Sequence, residues 1–302
     1  MTSFNSCILA VDAGGTSLKA ALFPSSSDGN RDGLSETTFF SVNVRSEGTK
    51  EEILTSYEEL GRKGTLLAAE HHSVIEQISV CIPGPFDYKN GCSLMTHKYQ
   101  SVYQIPLGPE ILKGAGVSCP ITFLHDSTAF LLGAALTLPE KAPTVCGVII
   151  GTGLGFACMS HGVIQENPSG GPGVSIYARP YLNGTAEDYV SKRGILRRYL
   201  SEAGIKEQEA APTVAEIAGT ARNGDPAARK AFADTGFHLG QILLPVLREH
   251  PFKTVLLGGA ISKSADLFLP ELNQVLSEVQ ATAYQAENID HAPLSGAARY
   301  RK

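Results

Sequence analysis

Asp12 closes an apolar run, residues 8–11, and is followed by Gly14, Gly15 and Thr16 before a second apolar run, residues 18–23. Residues of these types in this order can hold an oxyanion. Adjacent glycines let the backbone pass close to a phosphate and expose its amides, and Thr16 adds a hydroxyl. Asp12, at the carboxyl end of a strand, suits a hydrated Mg²⁺, because hard cations take carboxylate and water oxygen. The stretch is not a Walker loop, which needs Gly, four residues, then Gly-Lys-Ser/Thr; Lys19 does not fit that spacing. A plain Gly-Gly hairpin has the same local pattern.

The same arrangement returns about 140 residues later. An apolar run, 145–150, leads into Gly151-Thr152-Gly153-Leu154-Gly155 and then a further apolar run, 156–159. The pairing is more specific than either turn and suggests an internal duplication with both turns facing one cleft. A third glycine exit, Gly258-Gly259, follows the apolar residues 254–257 and suits the close approach of a base or ribose. His125 and Asp126 stand between a strand, 120–124, and a helix, 127–138. A carboxylate at such a switch is where open α/β sheets place reacting groups, although Asp is also a common N-cap. Pro83-Gly84-Pro85 ends the strand 74–82. Gly84 there either brings backbone against a ligand or serves a rigid strand exit. His97 and Lys98, in the polar and aromatic segment 95–106, are candidates for ligand contact or a solvated pair.

These groups must be positioned by alternating strands and helices. Residues 49–69 carry Ile53, Tyr57 and Leu60 at helical spacing, with Glu51 and Glu52 in the first turn. Thr185 opens a helix with Asp188 in capping-box position and Glu187 in the first turn. Residues 226–248 form a longer helix whose end Pro245 is expected to break or kink. The Gly- and Pro-rich segment 165–183 reads as an irregular substrate loop.

The chain of 302 residues is 43% hydrophobic and 18% charged, enough for a large core. A net charge of −5 and no long basic run argue against nucleic acid, and no apolar stretch reaches membrane-span length. The N-terminus lacks the basic and apolar regions of a secretory signal. The six scattered cysteines read as reduced thiols of a cytoplasmic protein.

Taken together and in order, Asp12 to Lys19, Pro83 to Asp87, His125-Asp126 with Ala129 and Gly133, Gly151 to Gly155, Thr185 to Glu187, Val255 to Ser262 and Pro293 to Ala298 resemble the ROK family, within the hexokinase–Hsp70–actin superfamily. The resemblance covers nearly the whole chain. It implies an α/β, two-lobed, actin-like and ribonuclease-H-like fold, each lobe a mixed sheet flanked by helices, around a cleft. It divides the chain into 1–120, joined by a terminal helix at 289–302, and 121–288. It implies ATP-dependent phosphorylation of a sugar hydroxyl, hexose or N-acylhexosamine, with Asp126 as general base. ATP would be held by Asp12, Gly14, Gly15, Thr16, Lys19, Gly151, Thr152, Gly153, Gly155, Gly258 and Gly259, with Asp12 near Mg²⁺. Gly84, His97, His125 and Glu187 fall on the sugar side. A homodimer is implied as well.

The departures from the family's pattern also carry information. Many members place a structural zinc just before the position of Glu187; here the last cysteine is Cys158, so no zinc is expected. The family's Gly-Glu-x-Gly-His sugar motif gives way to residues 168–178, its Asn before the catalytic Asp to His125, and its Asn-bearing sugar loop to Thr96-His97-Lys98. The phosphoryl machinery is matched better than the sugar pocket. The family also includes repressors with an N-terminal helix-turn-helix, for which a first strand at Ile8 leaves no room, and a non-catalytic sensor is the alternative.

Overall fold

The computed structural model describes residues 5–25, 39–96, 98–140, 143–205 and 212–300. In chain order the elements are β1 (Asn5–Ala13), β2 (Ser17–Pro24), β3 (Phe39–Asn43), α1 (Lys50–Glu70), β4 (Ser73–Ile82), β5 (Phe86–Asp87), β6 (Cys92–Ser93), α2 (Gly108–Ala115), β7 (Ile121–His125) and α3 (Asp126–Ala134). Then come β8 (Val145–Ile150), β9 (Leu154–Ser160), β10 (Val163–Ile164), β11 (Pro180–Tyr181), β12 (Gly184–Thr185), α4 (Ala186–Val190), α5 (Lys192–Ala203), α6 (Val214–Arg222) and α7 (Pro226–Glu249). The chain closes with β13 (Thr254–Gly258), α8 (Leu269–Leu276), β14 (Thr282–Gln285) and α9 (Ala292–Arg299).

The chain divides into two compact units. The first runs to Leu136 and includes Glu166–Gly171 and the segment from His291; the second holds Thr137–Gln165 and Pro172–Asp290. A division at residue 120 therefore falls inside the first unit, because β7 pairs with β4 in parallel, Ile121 opposite Ile78 and His125 opposite Ile82.

In the first unit the strand order is β3-β2-β1-β4-β7, with β2 antiparallel to both β1 and β3, and β4 and β7 running parallel to β1. β1 is apolar throughout its middle because both of its faces are covered. Leu9 and Val11 join the cluster that contains Ile53, Tyr57 and Leu60 of α1. Ile8 and Ala10 join the cluster that contains Ala129 of α3 and Leu294 and Ala297 of α9. α1 begins with a capping box: the Glu52 amide donates to Thr49 Oγ1 at 3.2 Å and the Thr49 amide donates to Glu52 Oε2 at 2.7 Å.

The second unit repeats the pattern. Its order is β10-β9-β8-β13-β14, with β9 antiparallel to β8 and β10, and β13 and β14 parallel to β8. Strand by strand this matches the first sheet, the duplication that the paired glycine turns imply. Each unit is thus a mixed sheet flanked by helices. The core of the second unit joins Val148 and Ile150 of β8, Leu257 of β13, and Phe232, Leu239 and Leu243 of α7. Pro245 does not end α7. The helix continues to Glu249 with Leu244, Val246 and Leu247 buried around the proline, so packing offsets one missing amide hydrogen bond. Among the described residues no helix is long and apolar enough to cross a membrane.

Candidate active site

Three motifs of the first unit lie at the carboxyl ends of adjacent parallel strands. Asp12 is near the end of β1, opposite Cys81 of β4. Gly84 follows β4, and His125 ends β7 just before Asp126 opens α3. Strand register does the positioning, and the carboxyl edge of an α/β sheet is where ligands bind.

The first glycine turn is pinned from several sides. The Gly14 amide donates to the Ser17 carbonyl at 3.0 Å and the Ser46 amide to the Gly15 carbonyl at 3.1 Å. Tyr99 Oη donates to the Gly14 carbonyl at 2.6 Å. Lys19 is paired across the sheet with Asp12, so both side chains share one face, and its charge pulls against the burial of that carboxylate. Thr16 is exposed at the tip of the turn.

The two acids differ electrostatically. Burial, then the negative charge of Asp126, pushes Asp12 up to about 6, against the opposing pull of Lys19 and a thiol contact from Cys81. Burial alone would also raise Asp126. The charge and hydrogen bond of His125, the Ser127 amide and the charge of Lys98 outweigh it and hold Asp126 below the usual carboxylate range. His125 Nδ1 lies 2.8 Å from Asp126 Oδ1, and the Ser127 amide donates to the same oxygen at 2.6 Å. The Ser127 amide also donates to His125 Nδ1 at 3.1 Å, and Ser127 Oγ lies 2.8 Å from the same nitrogen, so His125, Asp126 and Ser127 form one close polar cluster at the start of α3. Asp126 is therefore ionised and aligned, as a proton acceptor must be.

Gly84 stands beside His125: a Cβ there would meet Tyr88 Oη at 3.4 Å and His125 Nε2 at 3.6 Å. The Tyr88 ring packs against that of His125 at 5.9 Å between centroids. The Gly- and Pro-rich segment touches the same place, since a Cβ on Gly171 would lie 3.5 Å from Tyr88 Cε2. Tyr88 was not singled out in the sequence. His97 lies outside the described residues.

In the second unit the structure brings together Gly151, Thr152, Gly153, Gly155, Gly258 and Gly259. Gly258 pairs with Ile149 across β13 and β8. Gly259 has φ 84, and a Cβ there would lie 2.4 Å from the Ile150 carbonyl oxygen, so only glycine lets this exit pass beside the turn. Glu187 faces the same turn. Its Oε2 accepts from the Leu154 amide at 2.9 Å and its Oε1 from Arg193 at 3.2 Å. Just before Glu187, the β11–β12 hairpin is held by Tyr181, whose hydroxyl is 2.8 Å from His238 Nδ1, and by Asp188, which accepts from both the amide and hydroxyl of Thr185.

Asp12 and Asp126 fit a divalent cation by their chemistry. Both are hard oxygen donors, and their mutual repulsion, visible in the raised Asp12, is what a cation would relieve. Among the described residues there is no group of three or more His, Cys, Asp and Glu suited to a metal, so water and phosphate oxygen would complete the shell, the usual state of Mg²⁺.

The chain is similar to known proteins over most of its length. A model of the ROK family matches residues 8–301. The DNA-binding transcriptional repressor Mlc of Escherichia coli (strain K12) is 26% identical over 224 residues, 70% of this chain and 55% of that protein. The chain thus spans about half the length of this curated relative. A ROK family glucokinase from Streptomyces griseus, solved with glucose and AMPPNP, superposes with a TM-score of 0.74 at 20% identity, covering 97% of this chain and 98% of that one. The ROK hexokinase of Thermus thermophilus gives a TM-score of 0.74 at 19% identity, covering 97% and 96%. At these identities the solved structures establish the fold, an actin-like α/β arrangement.

Proposed function

This chain belongs to the ROK family, and we propose that it transfers the γ-phosphoryl group of ATP to a sugar hydroxyl. The observation that carries the reading is Asp126: a carboxylate held ionised by His125 and the Ser127 amide, on the same sheet edge as Asp12 and a glycine turn. Sugar-kinase relatives of the same fold support it.

In this reading Asp126 accepts the proton of the acceptor hydroxyl as its oxygen bonds to the γ-phosphorus. The bond to the β–γ bridging oxygen breaks and ADP leaves. Asp12 would hold a hydrated Mg²⁺, which supplies charge neutralisation for the phosphates when bound. The amides of Gly14, Gly15 and Thr16 form one phosphate turn, and Gly151, Thr152, Gly153 and Gly155 the other, braced by Glu187. Lys19 tempers the charge at Asp12. Gly258 and Gly259 line the adenosine. Gly84 and His125 border the acceptor, for which hexoses and N-acylhexosamines are the first classes.

The test is coupled ADP release with Mg-ATP over hexoses, N-acylhexosamines and polyols, with Asp126→Ala as control. Turnover on one acceptor, lost in the control, is expected. The Mlc relationship favours a second reading, a sensor that binds sugar and ATP without turnover. Silence across the panel with ATP still bound would select it.

A further inference from the structure

We propose that Lys98 is a further catalytic residue, its ammonium meeting the oxygens of the transferring phosphoryl group. The proposal rests on the reading above, in which the first glycine turn holds the terminal phosphates. The stem of Lys98 lies along that turn. A Cβ on Gly15 would meet Lys98 Cδ and Cε at 3.7 Å each and Ser46 Oγ at 3.3 Å, so Gly15 leaves the room in which the lysine runs.

The next residue fixes this placement. Tyr99 is fully buried and takes a left-handed φ of 52, a conformation rare for an aromatic residue that persists where the surroundings impose it. Its amide donates to the Ser46 carbonyl at 2.6 Å and its hydroxyl to the Gly14 carbonyl at 2.6 Å. The Ser46 amide donates in turn to the Gly15 carbonyl at 3.1 Å. The backbone around Lys98 is thereby stitched to the turn it overlies. Among the described residues no hydrogen bond or ion pair engages Lys98 Nζ, yet its field reaches Asp126 and favours the ionised carboxylate.

A cation so placed suits the chemistry. In phosphoryl transfer the negative charge spreads over the oxygens of the moving group, and positioned cations stabilise it. The stem of Lys98 runs along the phosphate turn and its charge acts on the base, and among the described residues no direct ion pair neutralises it, so its charge is available to the substrate.

The test uses the full-length protein and Lys98→Met, which keeps the stem over Gly15, with Lys98→Arg as the conservative variant. Binding of Mg-ADP and of Mg-AMPPNP is measured by titration calorimetry, and turnover on the best acceptor by ADP release. Lys98→Met should weaken AMPPNP about tenfold while leaving ADP unchanged, and lower kcat on the order of 100-fold with the acceptor KM unchanged. Lys98→Arg should recover part of both. Equal affinities for AMPPNP in Lys98→Met and the unsubstituted protein would overturn the proposal and leave the kinase reading standing. So would a raised acceptor KM at unchanged kcat, which would make Lys98 an acceptor contact. An unsubstituted protein that binds neither nucleotide would overturn the kinase reading and this proposal with it.

Discussion

Cys81 Sγ lies 3.7 Å from Asp12 Oδ1, a buried thiol donating to a half-buried carboxylate across neighbouring parallel strands. The contact helps Asp12 toward its ionised form but does not offset burial and the charge of Asp126, so Asp12 stays near 6. Burial and the same two carboxylates push the Cys81 thiol upward, which keeps it a thiol and a donor at neutral pH. A cysteine that the sequence presents as one of six scattered core thiols thus forms part of the floor beneath Asp12.

A raised Asp12 has a consequence for stability. Its neutral form is favoured in the fold, so its contribution is complete below the unfolded value of about 4 and is lost as pH rises through about 6. Asp126, held low, acts with the opposite sign and only at more acid pH. In EDTA, Asp12→Asn should raise Tm relative to the parent protein at pH 8, and the advantage should vanish near pH 4. Mg²⁺ should stabilise the parent more at pH 8 than at pH 5 and should do little for the variant. Thermal melts at the two pH values, with and without Mg²⁺, measure this; a Tm difference independent of pH would remove Asp12 as the titrating group.

Asp126 and His125 should separate in kinetics. Asp126→Ala should lower kcat by about 10² to 10⁴ with nucleotide binding retained. His125→Asn removes the charge that, after burial, weighs most on Asp126. The acid limb of kcat/KM should then move to higher pH, while kcat on the alkaline plateau changes little. An acid limb that stays in place would mean that the Ser127 amide and Lys98 suffice to keep the carboxylate ionised.

What the sequence made legible was local. Asp12 with its two glycines, the 151–155 turn and the His125-Asp126 switch each combine a strand run with residues that suit only a turn or a cap, so their sites at strand ends followed from chain order. What it hid was long-range. Nothing near Tyr99 indicates that its hydroxyl reaches Gly14, 85 positions away, or that Glu187 accepts the Leu154 amide, 33 positions away. The placement of β7 was equally non-local: the resemblance puts a division at residue 120, but pairing with β4 keeps β7 and Asp126 in the first unit. Pro245 misled because a proline rule is local, whereas the buried residues on either side of it hold α7 together.

Glu187 is tied to the second glycine turn through one amide. Arg193, its other partner, has a side chain 69% exposed, and an exposed ion pair contributes about 0–1 kcal/mol. Leu154 is buried, and an unpaired buried amide costs about 1–3 kcal/mol. Glu187→Ala should therefore weaken ATP binding and lower stability, while Glu187→Gln, which keeps a carbonyl acceptor, should retain most of both. Arg193→Ala should be nearly silent. Calorimetric ATP titrations of the three variants decide; a Glu187→Gln protein as impaired as Glu187→Ala would show that the charge, not the acceptor, matters.

The crossing of α3 and α9 is built on two glycines that face each other's backbones. A Cβ on Gly133 would lie 1.9 Å from the Ala292 carbonyl oxygen, and one on Gly296 would lie 1.8 Å from that of Ala129. These atoms are main chain, so no side chain can swing aside. The crossing also braces α3, whose first residue is Asp126. Gly133→Ala and Gly296→Ala should each destabilise by about 1–3 kcal/mol or more, the range for overpacking a close-packed core. Turnover should fall with stability, because α3 must shift. Gly219, inside α6, is the matched control: a Cβ there meets nothing within 4 Å. Gly219→Ala should stabilise by up to about 1 kcal/mol, the difference in helix propensity. Urea midpoints of the three variants read the contrast directly, and a Gly296→Ala protein as stable as Gly219→Ala would mean that the two helices do not approach this closely in solution.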